Sequence, residues 1–167
     1  KYIDIIVPRG GKSLVAKIQK EAKVPVFAHL EGICHVYVDN EINLDKSIKI
    51  IINSKMRRTG ICGAAETLLI DKNLDKESIL KIISHLQEVN CEIRGDNSLK
   101  DIVPDITLAN EEDWSTEYLD AIISVKLVDG VEQAVSHINK YSSQHTETII
   151  TENEETANYF LTNVDSA

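Results

Sequence analysis

Apolar runs of strand length alternate along this chain with stretches of helical periodicity. Ile3-Asp4-Ile5-Ile6-Val7 is β-branched and closed by Pro8 and Gly10-Gly11, which predicts a strand from Tyr2 to Val7. Ser13 to Ala22 reads as a helix with Leu14, Val15 and Ile18 on one face. Val24-Pro25-Val26-Phe27 reads as a short strand or edge segment, since Pro25 removes one ladder donor. Cys34 to Asp39 alternates and reads as a strand, with Cys34, Val36 and Val38 on one face. Leu44, Ile48, Ile51 and Ile52 mark a helix from Leu44 to Met56, with Asn43 placed to cap it and Asp45 in its first turn. Further on come a strand at Thr67–Ile70, an amphipathic helix at Asp75–Val89 and a strand at Cys91–Ile93. Then follow a strand at Ile122–Val128, a helix from Asp129 or Gly130 to about Tyr141, a strand at Thr148–Thr151 and a helix at Glu154–Leu161.

This alternation predicts an α/β fold, a mostly parallel sheet with helices on both faces. Residues 95–116 are poorly periodic and are expected to wrap the surface with a short helix or strand. Sites in such sheets gather beyond the carboxyl ends of the strands, so loops there carry the most weight.

Composition narrows the function. The chain has 167 residues, enough for one domain with a real core or at most two small ones. Its 18 basic and 27 acidic side chains give a formal net charge of -9, against the basic footprint that nucleic-acid binding requires. No apolar run is long enough to span a membrane, and no signal-peptide pattern opens the chain. The three cysteines Cys34, Cys62 and Cys91 have no regular spacing, so they are expected to be reduced, as in a cytoplasmic protein. The chain opens on Lys1 inside an apolar run, so it is expected to be a piece of a longer protein.

Among the thiols, Cys34 and Cys91 lie in strand patterns and read as small core residues. Cys62 lies between a helix and a strand, in Arg57-Arg58-Thr59-Gly60-Ile61-Cys62-Gly63-Ala64-Ala65-Glu66-Thr67. Gly60, Gly63, Ala64 and Ala65 leave little bulk there, so a substrate can approach the backbone and turn amides can face an oxyanion. Arg57 and Arg58 would favour the thiolate. The alternative is a packed loop with a buried cysteine and solvated arginines. Gly10-Gly11-Lys12-Ser13 resembles the tail of a P-loop, but Ile6 stands where the first glycine belongs. His29, Cys34 and His35 are the nearest approach to a metal set. Cys34 and His35 point to opposite strand faces and no fourth ligand stands out, so no metal site is expected.

The stretch Arg58-Thr59-Gly60-Ile61-Cys62-Gly63-Ala64-Ala65-Glu66-Thr67-Leu68-Leu69 resembles the active-site segment of the gamma-glutamyl phosphate reductase family, also called glutamate-5-semialdehyde dehydrogenases, within the aldehyde dehydrogenase superfamily. Three more segments resemble it in order: Pro8 to Leu14, the string His29-Leu30-Glu31-Gly32-Ile33-Cys34-His35-Val36-Tyr37-Val38-Asp39, and Val128 to Ala134 with His137-Ile138, Tyr141-Ser142-Ser143 and His145-Thr146-Glu147. One departure is Gly63, where many members carry Asn; the backbone donor stays but a side-chain amide is lost.

The resemblance implies NADPH-dependent reduction of L-glutamyl 5-phosphate to L-glutamate 5-semialdehyde in proline biosynthesis, with Cys62 as the nucleophile that forms a thioester. Hydrolytic members of the superfamily place a general-base Glu at the start of a Glu-Leu-Gly-Gly-Lys turn. The similar turn here is Pro8-Arg9-Gly10-Gly11-Lys12, so the acceptor in the oxidative direction is expected to be phosphate and not water. Arg9, Arg57 and Arg58 are the candidate phosphate contacts. Glu117 falls where superfamily members place a carboxylate facing the nicotinamide ribose, while His145 receives no catalytic role.

The resemblance also implies that residues 1–167 are the catalytic domain of a longer enzyme, with the cofactor domain mostly outside the chain. The chain alone is then expected to be inactive, and the whole enzyme to be a homo-oligomer that associates with glutamate 5-kinase. Two alternatives remain: an aldehyde dehydrogenase of other specificity, and a non-catalytic thiol-bearing oligomerisation module.

Overall fold

The computed structural model describes residues 2–28 and 30–167. The chain divides into two compact units, Lys1–Glu31 and Gly32–Ala167.

In the first unit the helix α1 spans Lys12–Glu21 and buries Val15. The strand expected over Tyr2–Val7 does not form. Ile6 and Val26 make one isolated parallel bridge, with Ile6 N–H donating to Pro25 O at 3.0 Å and Phe27 N–H donating to Ile6 O at 2.8 Å. The β-branched run finds no longer ladder within the described residues, and Tyr2, Ile3, Ile5 and Val7 stay exposed. Lys12, the lysine of the P-loop-like string, is ion-paired with Glu31.

The second unit carries β1 (Cys34–Val38), α2 (Leu44–Met56), β2 (Ala65–Asp71), α3 (Lys76–Glu88), β3 (Glu92–Gly95), α4 (Asn97–Lys100), β4 (Thr107–Leu108), β5 (Ile122–Val128), α5 (Gly130–Tyr141), β6 (Glu147–Ile150) and α6 (Glu154–Asn163). The strands form one six-stranded sheet in the order β4-β3-β5-β2-β1-β6, and every pairing is parallel. A parallel sheet needs cover on both faces. Val36, Val38, Leu68 and Ile70 pack on one face with Ile48 and Ile51 of α2 and Ile79, Ile82, Ile83 and Leu86 of α3. Tyr37 and Leu69 pack on the other with Ala134, Val135 and Ile138 of α5 and Phe160 of α6. Strands β1 and β2 are buried at every position, the polar His35, Glu66, Thr67 and Asp71 included.

Local chemistry sets the helix starts. Asn43 accepts from Lys46 N–H, Asp75 from Ser78 N–H and Asn153 from Glu155 and Thr156 N–H, each satisfying amides that a helix start leaves free. The aperiodic stretch after β3 supplies α4, β4 and a 3-10 turn at Glu111–Ser115, and it buries Leu99, Ile106 and Trp114. One irregularity bears on function. Cys34 pairs with Ala65 and His35 with Thr67, so the β1–β2 register skips Glu66, a β-bulge at the start of β2.

Candidate active site

The site assembles at the amino ends of the strands, against the expectation that weighted the carboxyl ends. Cys62 precedes β2, Gly32 precedes β1, Glu117 precedes β5 and His145 precedes β6. The carboxyl ends hold a different network, in which Tyr37 Oη donates to Asp71 at 3.0 Å and Thr151 Oγ1 to Asp39 at 2.6 Å.

Helix α2 ends at Met56, and residues 57–64 turn tightly before entering β2. Ala64 N–H donates to Ile61 O at 3.0 Å, and Ala64 and Ala65 are buried beneath the turn. The turn thereby lifts Cys62 into solvent, alone among the three free cysteines. The backbone amides of Cys62 and Gly63 donate to no described residue. A Cβ on Gly63 would meet nothing within 4 Å, so the face beside the thiol is open.

Behind the thiol the packing is close. A Cβ on Gly32 would lie 1.8 Å from Cys62 O, so only glycine fits. Cys34 Sγ–H donates to the same carbonyl at 3.2 Å, fixing the Cys62 peptide from a second side. Gly32 N–H donates to Glu117 Oε1 at 2.8 Å, and Ile33 N–H donates to Ser143 Oγ at 2.8 Å. Glu147 Oε2 accepts from His35 N–H at 2.8 Å and lies 3.1 Å from His35 Nδ1.

Burial separates the thiols chemically. It pushes Cys34 up to about 12, with Glu147 adding to the shift, and pushes Cys91 up to about 11. Both are buried, as their strand patterns predict. Arg57 and Arg58 are exposed, carry no ion pair among the described residues, and with Asn53, Ser54, Ile61 and Gly63 line an open cleft of about 360 Å³ beside Cys62. Both follow the last turn of α2, where a cation also offsets the partial negative charge of the helix end.

The structure therefore brings Cys62, Arg57 and Arg58 into one loop and ties Glu117 to it through Gly32. Arg9 is an exposed residue of the first unit. Of His29, Cys34 and His35, the residues weighed against a metal site, His29 lies outside the described residues, and no group of three metal-ligating side chains occurs among those described. For a dinucleotide, one feature fits: Glu117 is half-buried with one oxygen held by Gly32, and its other oxygen has no partner among the described residues.

Sequence reasoning missed four contributors: Gly32, Cys34 as a support for Cys62, and the pair Lys55–Glu66. Lys55 Nζ lies 2.5 Å from Glu66 Oε2, and neither side chain reaches solvent. Burial raises the Glu66 carboxyl against the pull of Lys55. The signal was present: Lys55 continues the Leu44, Ile48, Ile51 series onto the apolar stripe of its helix, and Glu66 stands within an otherwise uncharged strand start.

This sheet with its helices is the fold of the aldehyde dehydrogenases. It superposes on a glyceraldehyde-3-phosphate dehydrogenase of Methanocaldococcus jannaschii, solved with NADP, with a TM-score of 0.73 at 14% identity, over 99% of this chain and 45% of that one. In sequence the chain is similar to a portion of gamma-glutamyl phosphate reductases. It is 58% identical to the one from Bartonella tribocorum over 99% of this chain and 40% of the relative. The crystal structure of the Thermotoga maritima gamma-glutamyl phosphate reductase matches with a TM-score of 0.96 and 42% identity, over 99% of this chain and 40% of that one. The chain thus spans about 40% of the length of these relatives. No family model matches the sequence.

Proposed function

We propose that this chain supplies the thiol half of an enzyme that reduces L-glutamyl 5-phosphate to L-glutamate 5-semialdehyde and releases phosphate. The observation that carries the reading is Cys62 itself, the one solvent-exposed thiol, raised on a small-residue turn beside two exposed arginines.

The Cys62 thiolate attacks the acyl carbon of the substrate, and the carbonyl π electrons move onto oxygen. The free amides of Cys62 and Gly63 face that oxyanion. Arg57 and Arg58 hold the phosphoryl oxygens as the carbon–oxygen bond to phosphate breaks. Phosphate leaves and a Cys62 thioester remains. NADPH, when bound, supplies the hydride that reduces the thioester carbon, and Glu117 is the residue of this chain that would hold its ribose. Hydride addition leaves a thiohemiacetal alkoxide on Cys62, whose oxygen electrons re-form the carbonyl as the carbon–sulfur bond breaks, freeing the aldehyde and the Cys62 thiolate. The route belongs to proline biosynthesis in the cytoplasm, with a homo-oligomeric enzyme and glutamate 5-kinase as its partner.

In the full protein that carries this chain, Cys62→Ser should lower turnover at least about 1000-fold, because a hydroxyl near neutral pH is a far poorer nucleophile than a thiolate. Near-normal turnover in that variant refutes the assignment. Iodoacetamide labelling followed by peptide mapping gives a second check. Cys62 should react well ahead of Cys34 and Cys91, whose burial and raised pKa suppress the thiolate.

A further inference from the structure

Cys62 lies within the chain segment that Lys55 and Glu66 close, for the former sits in the last turn of α2 and the latter is the second residue of β2. The two side chains meet at 2.5 Å with no exposure to solvent. Such a pair is not explained by stability, since replacing a buried ion pair with apolar side chains of similar volume is often neutral or stabilising.

The local geometry supplies another reason. Glu66 is the bulged residue of β2, opposite the step from Cys34 to His35, and bulges re-aim side chains beside active sites. Its two oxygens divide their work: Oε2 takes the Lys55 ammonium, and Oε1 accepts from Leu119 N–H at 3.3 Å. Leu119 holds φ at 54°, a left-handed conformation that a branched side chain rarely adopts and that needs an external tie. The segment it belongs to lies beside the nucleophile loop at Gly60 and reaches it again through Gly32. Leu119 O lies 3.9 Å from where a Cβ of Gly60 would be, and two residues earlier Glu117 accepts from Gly32, which packs on the Cys62 carbonyl.

We propose that Lys55 and Glu66 are positioning residues for the reaction at Cys62, a buried staple that fixes the nucleophile loop against residues 117–119 and so sets the direction of the Cys62 peptide. This rests on the reading of Cys62 as the nucleophile. Neither side chain touches substrate. Glu66 acts through its bond to Leu119, and Lys55 acts by compensating the Glu66 charge.

The test uses two double variants of the full protein, assayed with glutamate 5-semialdehyde, NADP and phosphate in the oxidative direction. Lys55→Met/Glu66→Leu removes both charges and the acceptor for Leu119 N–H. Lys55→Met/Glu66→Gln removes both charges but keeps a carbonyl acceptor. Both should melt within about 5 °C of the wild type. The first should lose about 30-fold in kcat with KM unchanged, the scale that small misplacements of reacting groups produce, and the second should stay within about threefold of the wild type. Wild-type kcat in the Leu variant, or equal losses in both, overturns the proposal. If either variant fails to fold, amide exchange in the wild type decides: the Leu119 amide should exchange as slowly as those of β2, and exchange at exposed-loop rates overturns it. Cys62→Ser runs alongside. Turnover in that variant sinks the nucleophile assignment, whereas a dead Cys62→Ser with an active Leu variant sinks only the staple.

Discussion

At the scale of single residues, two glycines near Cys62 have opposite reasons to be there. Gly32 is required by contact, because a Cβ would lie 1.8 Å from Cys62 O. Gly32→Ala should therefore push the Cys62 peptide aside, costing about 2 kcal/mol in urea denaturation and more than about tenfold in turnover. Gly63 has no such contact within 4 Å of its missing Cβ. Gly63→Asn, the residue many relatives are expected to carry, should leave stability within about 0.5 kcal/mol. Measured side by side, a tolerated Gly32→Ala or a crippling Gly63→Asn would contradict the packing described. Gly60, Cys62 and Gly63 stand out in the sequence as one small-residue turn. The contact with Gly32 does not, because it joins segments far apart in the chain and depends on how β1 lies against the end of the loop.

At the scale of elements, strand β1 is covered by helices on both faces, and the interface of β1 with α5 has a pH signature. His137 of α5 is buried among His35, Trp114 and Tyr141, with ring centroids 5.6, 5.4 and 4.6 Å away. Burial, then His35, Lys126 and Lys140, depresses its pKa to about 3. The unfolded chain takes up a proton near the ordinary histidine pKa while the folded one does not. The stability this contributes is complete above about pH 6.5 and is lost as pH falls toward 3, with a slope of up to about 1.4 kcal/mol per pH unit. Denaturant titrations between pH 7 and 4.5 should show the wild type losing stability more steeply than His137→Phe; parallel curves would exclude the effect. Helix α2 illustrates what an element reveals before folding. Its span and its Asn43 cap follow from periodicity and one side chain. The strand expected over Tyr2–Val7 shows the converse, because a β-branched run becomes a strand only when another segment offers it a ladder.

At the scale of the whole molecule, the chain covers about 40% of its relatives and carries a formal net charge of -9. For a dinucleotide it offers Glu117 but, among the described residues, no glycine-rich turn opening a helix after a strand, the arrangement that cradles a pyrophosphate. Isothermal titration of the 167-residue chain should therefore find NADPH binding weaker than about 100 μM, too weak to supply the binding energy a cofactor site needs. Micromolar binding would show that the residues described here suffice.

The sequence alone determined the order and type of most elements, the parallel sheet covered on both faces, and Cys62 as the thiol outside a strand. These depend on local properties: hydrophobic period, capping side chains, and the small residues of one turn. Tertiary structure alone decided that Gly32 and Cys34 brace the Cys62 peptide, and that Lys55 and Glu66 meet across a bulge. Those features depend on strand register and on distances between segments remote in sequence, which no local pattern encodes. Cys62 is legible because its turn is built from neighbours in the chain; its supports are not, because they become neighbours only when the sheet closes.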